Sequence, residues 1–143
     1  MNGIEIGLTI GMMLLTAATH ALGLWAMEMV GVHGRDISGP KRTAALLGVV
    51  IALMALHVIE IVEYAVLFVT LGATSDFETA LYFSGATYST IGAVGVEIPH
   101  QWRLIASMEG VNGMVMIGWS TAYLFTAWRH VGRPRRRLNR HPH

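Results

Sequence analysis

Two short runs hold most of the side chains capable of chemistry. The first, "HVIEIVEY", gathers His57, Glu60, Glu63 and Tyr64 within eight residues. At 100° per residue, His57, Glu60 and Tyr64 fall within about 60° of one helix face while Glu63 turns away. An imidazole and a carboxylate at i and i+3 can share a proton, hold a metal ion, or satisfy each other at a buried helix interface. His57 and Glu60 are thus a candidate polar pair. A metal site usually needs more ligands than two, so none is assigned to them. The second run, "WRLIASMEGVNGMVMIGW", sets Glu109 and Asn112 one turn apart among apolar residues and Gly110, Gly113 and Gly118. An isolated imidazole, His20, lies further upstream; with His57 it would make the axial pair of a membrane haem protein, the least favoured reading. There are no cysteines, which excludes disulfides and thiolate metal sites. Nothing resembles a catalytic constellation, and an enzyme is not expected.

The elements that must carry these groups are apolar. Of 143 residues, 53% are hydrophobic and 13% charged, about half the charged share of a soluble domain. Three blocks, Ile4 to Val30, Thr43 to Leu71 and Arg103 to Trp128, are long enough for a hydrocarbon core of about 30 Å, which takes roughly 20 helical residues. Glu5 and the length of the first block argue against a cleaved signal peptide, so it is expected to stay as a transmembrane helix. His57, Glu60, Glu109 and Asn112 then sit inside spans, where polar groups face a cavity or find a partner. Gly3, Gly7 and Gly11 repeat at four-residue spacing, a pattern that allows close helix contact. The first span is expected on the outside of the other two, with Met12 and Met13 as packing residues.

Between Leu71 and Arg103 the chain is neither a span nor an ordinary exposed loop. Ser75 and Glu78 form a capping box, which predicts a helix from about Asp76 to Tyr88. Its Ala80, Leu81, Tyr82, Phe83 and Ala86 are too apolar for water. At about 12 residues, or ~18 Å, it is too short to cross. A re-entrant helix fits both facts. The following "STIGAVG" must then be non-helical backbone at membrane depth, tolerated only if buried in protein or lining a wet cavity. One small chain cannot surround it, so several copies are expected around a shared pore.

"ALYFSGATYSTIG", then Pro99 and the third span, resembles the pore helix, filter and inner helix of the tetrameric potassium-channel superfamily, in its small bacterial two-helix-plus-pore-loop form. The resemblance covers roughly Thr43 to Phe125. It implies an all-α membrane protein with three transmembrane helices, a re-entrant pore helix and a filter loop per subunit, assembled as a homotetramer. The implied division is an extra N-terminal helix over 1–31, a cytoplasmic loop over 32–42 and a pore domain over 43–128. Within the pore domain lie an outer helix 43–72, pore helix 76–88, filter 89–97 and inner helix 103–128; a basic tail fills 129–143. The family's "T-x-T-T-V-G-Y-G-D" is matched by Thr87, Ser89, Thr90, Ile91 and Gly92, then lost. Ala93 and Val94 follow, with Gly95 as second glycine if one residue is inserted, a register that also restores the family's proline at Pro99. Alternate residues of such a filter take left-handed dihedrals, which glycine permits and valine resists. The resemblance implies an ion pathway along Thr90, Ile91, Gly92, Ala93, Val94 and Gly95. Thr87, Ser89, Glu97 and Glu109 are candidate supports, Glu109 through Ser84, Thr87 or Tyr88, and Gly113 or Gly118 is a candidate gating hinge.

Lys and Arg placement orients the chain. Arg35, Lys41 and Arg42, and the tail's Arg129, Arg133, Arg135, Arg136, Arg137 and Arg140, belong on the cytoplasmic side, which leaves the N-terminus outside a multi-pass protein of the cell (inner) membrane. The tail is a topology anchor or a contact for anionic lipid. A net charge of +1 with basic groups beside apolar spans excludes nucleic acid as partner. The expected function is a cation channel with weak or unusual selectivity, passing potassium or sodium without a cofactor. The alternative is a nonconducting pore-loop protein with a structural or sensing role.

Overall fold

The structure, a computed structural model, describes residues 3–30 and 39–130. Within them lie four α-helices: α1 (Gly3–Val30), α2 (Pro40–Thr70), α3 (Phe77–Tyr88) and α4 (Arg103–His130), the last entered through a 3₁₀ turn at His100–Trp102. Arg35, the connection around it and the tail beyond His130 lie outside the described residues, and with them the expected lipid-binding tail.

Each helix has a local cause. Pro40 is the first residue of α2, where a fixed φ suits a helix and the missing N–H costs nothing; α2 accordingly starts three residues before Thr43. α3 begins at Phe77, but its cap is Asp76 and not Ser75. The Asp76 carboxylate accepts from the Thr79 backbone N–H at 2.8 Å, while the Ser75 hydroxyl donates to it at 2.6 Å. A carboxylate makes the stronger, charge-assisted cap, which moves the cap one residue along. Hydrogen bonds first from Ser75 and then from Thr79 stabilise the Asp76 carboxylate and lower its pKa to about 2. Beyond Tyr88 the chain has no regular structure until His100.

α1 and α2 are long and apolar enough to cross a membrane. α4 has the same 28 residues as α1, about 42 Å, but Glu109, Asn112 and Ser120 interrupt its apolar run. α3 is held between α2 and α4, and α1 lies against both α2 and α4. Phe68 and Phe83 meet edge to face at 5.2 Å where α2 and α3 join.

The face by which α1 docks differs from expectation. Gly3, Gly7 and Gly11 have no atom within 4 Å of where a Cβ would stand. The buried stripe is Glu5, Thr9, Met12, Thr16, His20 and Leu24. Apolar faces of such helices can rest against lipid as well as against each other, so polar groups with partners choose the contact. Glu5 shows this: its carboxylate accepts from the Leu104 backbone N–H at 3.2 Å, capping the first turn of α4 from another helix.

Candidate functional site

The site begins where α3 ends. Three α3 carbonyls are closed by the residues just beyond: Gly85 by the Ser89 N–H, Thr87 by the Thr90 N–H at 2.9 Å and Ala86 by the Gly92 N–H at 2.9 Å. The Ser89 hydroxyl also donates to the Gly85 carbonyl at 2.7 Å. This tight wrap forces left-handed backbone at Thr90 (φ 63°) and Gly92 (φ 85°). For a β-branched residue that is a strained conformation, costing about 1–2 kcal/mol. Sequence reasoning reserved it for glycine; the wrap around the helix end overrides the side chain's preference at Thr90.

Further along, Gly95 is left-handed at φ 78° and Val94 is not. The Val94 N–H donates to the Tyr82 hydroxyl at 3.3 Å, so a residue of α3 braces the second half of the loop. Tyr82 had no signal in the sequence, since only the fold-back of the loop brings it there. Ala93 packs on the buried Ile98 and Phe83 cluster, and Glu97 is exposed. Ile91 and Val94 leave 82% and 84% of their surface uncovered within one chain. Among the described residues, no donor reaches the carbonyls of Ser89 to Gly95. These oxygens stand at the negative end of the α3 dipole, an environment that favours cations.

α4 backs the helix end closely. A Cβ on Gly113 would lie 2.1 Å from the Tyr88 carbonyl oxygen, and one on Gly110 would lie 3.2 Å from that of Thr87. Gly113 therefore has a packing reason, whereas Gly118 meets nothing within 4 Å. The Ser84 hydroxyl donates to the buried Glu109 carboxylate and lies 3.1 Å from the Ile61 carbonyl. Of the three partners anticipated for Glu109, the structure joins it to Ser84. Asn112 on the next turn serves another junction, donating to Thr16 of α1 and, at 3.2 Å, to the Tyr64 hydroxyl of α2.

The expected pair of His57 and Glu60 is part of something larger. Glu60, fully buried, pairs with His20 Nδ1 at 2.7 Å and His57 Nδ1 at 3.3 Å, and accepts from the Tyr88 hydroxyl. His57 Nδ1 also lies 2.9 Å from that hydroxyl. The network unites α1, α2 and the last residue of α3. Thr19 of α1 adds a bond to Glu63 at 2.6 Å. The two imidazole rings are 5.5 Å apart, with the Glu60 carboxylate bonded to both, where a porphyrin would have to sit. Sequence spacing found His57 with Glu60 but could not add His20 or Tyr88, which come from other helices.

A short helix between two long ones, a glycine-punctuated loop with unclaimed carbonyls and a glycine-backed helix end form one unit, Met54 to His130. A family model described as an ion channel matches residues 54–130. No curated protein and no solved structure matches the chain. The family match includes the second half of α2, all of α3, the loop and α4, more than half of the chain, and the protein is a member of that ion-channel family, of the potassium-channel type.

Proposed function

We propose that the protein is one subunit of a homotetrameric cation channel, in which four copies gather their α3 ends and following loops around one axis. α4 serves as a third crossing, with the N-terminus outside and the C-terminus cytoplasmic in the cell (inner) membrane. The permeant ions are potassium or sodium. The observation that carries this reading is the loop backbone: left-handed at Thr90 and Gly92, its carbonyls left without donors at the C-terminal end of α3. Carbonyls in that state can replace the water of a dehydrated cation. Irregular backbone of this kind at membrane depth needs protein or a wet cavity around it, and further copies supply both.

Selectivity is expected to be weak. With Gly95 left-handed in place of Val94, two residues, Ala93 and Val94, separate the lower turn at Gly92 from the next glycine, one more than in the family's motif, so the upper coordinating layers widen or rearrange. Fewer successive dehydrated sites discriminate potassium from sodium less well. Flux into liposomes under potassium, sodium and chloride gradients tests the reading. Passage of both cations and not of chloride is expected. Leakage equal to that of empty vesicles would reject conduction and leave the nonconducting pore-loop protein, with a structural or sensing role, in its place.

A further inference from the structure

We propose that His20, His57 and Glu60 form an intrachain site for a first-row divalent cation of the zinc class, set at the C-terminal end of α3. One donor atom from each residue lies within 4.8 Å of the others. Zinc bonds nitrogen and oxygen at about 2.0–2.2 Å, which puts neighbouring donors of a tetrahedral site about 3.3 Å apart. His57 Nδ1 and Glu60 Oε2 already stand at 3.3 Å. His20 Nδ1 stands 2.7 Å from the other carboxylate oxygen, Oε1, so the carboxylate must turn to present a single oxygen to both imidazoles at that spacing. A water molecule would complete four ligands.

Two other features belong to a metal site. Ligating histidines usually hand their second ring nitrogen to an oxygen, which fixes the tautomer. His20 Nε2 lies 3.4 Å from the Ser120 hydroxyl of α4. The carboxylate, too, is supported, by Tyr88. His57, its side chain 19% exposed, borders a groove of about 200 Å³ between α2 and α4, together with Ser120 and Thr121. Two imidazoles and one carboxylate suit zinc and its neighbours, not potassium or magnesium, which prefer oxygen. An ion here would tie α1, α2 and α3 together at the start of the loop. The bonds seen without it are the same donors sharing protons, which metal binding would release.

The full-length protein in detergent, stripped with a chelator and titrated with Co²⁺ and then Zn²⁺, decides the matter by binding alone, apart from conduction. One Co²⁺ per chain is expected, with visible d–d absorption that Zn²⁺ abolishes. His57→Gln, at a partly buried position, should weaken Co²⁺ binding by more than the roughly 10–100-fold typical of outer-shell partners, and Ser120→Ala by an amount within that range. Absence of a visible band overturns the proposal. So do coincident titrations of wild type and His57→Gln, which would move the binding to other histidines such as His130, His141 or His143. If His57→Gln does not fold, Ser120→Ala decides: unchanged affinity overturns the site.

Discussion

Replacing Gly113 by alanine should disturb the end of α3 more than any other single methyl added to α4. The new Cβ would stand 2.1 Å from the Tyr88 carbonyl oxygen, 2.9 Å from its carbon and 3.0 Å from Cγ of the same ring, against ordinary contacts of 3.4–4 Å. The obstacle is backbone that anchors the loop, so no side-chain rotation relieves it. α4 and the α3 end must part by at least about 1 Å, an overpacking that typically costs about 1–3 kcal/mol. Because the obstacle is rigid, the upper end of that range applies. Alanine returns about 1 kcal/mol through its helix propensity. A net loss of about 2 kcal/mol per chain follows, together with altered flux, because Tyr88 leads directly into Ser89 and Thr90. Gly110→Ala is the graded control: its Cβ meets the Thr87 oxygen at 3.2 Å and needs only a few tenths of an ångström. Thermal unfolding of the detergent-solubilised protein, followed by tryptophan fluorescence, reads both variants alongside liposome flux. If Gly113→Ala melts and conducts like the wild type, or Gly110→Ala falls as far, the close approach of α4 to α3 is refuted.

Thr90→Gly removes a strained left-handed threonine and should stabilise the fold by up to about 1 kcal/mol, after allowing for glycine's greater freedom when unfolded. Without the Thr90 hydroxyl the potassium-to-sodium flux ratio should shift, and an unchanged ratio would remove Thr90 from the ion pathway. Asn112→Ala leaves the buried Tyr64 hydroxyl without its donor and loosens α1, a loss of about 1–2 kcal/mol in a denaturation series. Asp76 gives a pH signature with a definite sign. Its pKa in the fold, about 2, lies below the ordinary 3.8, so its cap stabilises α3 above pH 3.8 and is lost as pH falls through about 2. Hydrogen exchange in the first turn of α3 should rise across that window; Asp76→Asn should keep the cap and abolish the dependence.

Much of the fold was legible in the chain because membrane helices are written as long apolar runs and turns as glycine, proline and cap residues. The short helix before the loop followed from its length and the Ser75 and Glu78 capping box, whereas the cap in the structure is Asp76, one residue along. The loop was legible from glycine spacing; its left-handed residues are Gly92, Gly95 and, against its β-branched side chain, Thr90, and not Val94. The cause at Thr90 is the helix end it folds around. Within α2 the spacing of His57, Glu60 and Tyr64 set their common face, since that depends only on helical period.

What no period could supply was the partner across a helix interface. Glu5 capping α4, Thr16 meeting Asn112, His20 reaching Glu60 and Tyr82 holding Val94 join residues 12 to 99 positions apart. The sequence by itself determined which residues could be polar within an apolar run and which face of a helix they share. The rotation and offset of one helix against another decided which of them meet. That choice belongs to the tertiary structure, because a buried polar group is tolerated at any register that gives it a partner, and only the packed helices select one.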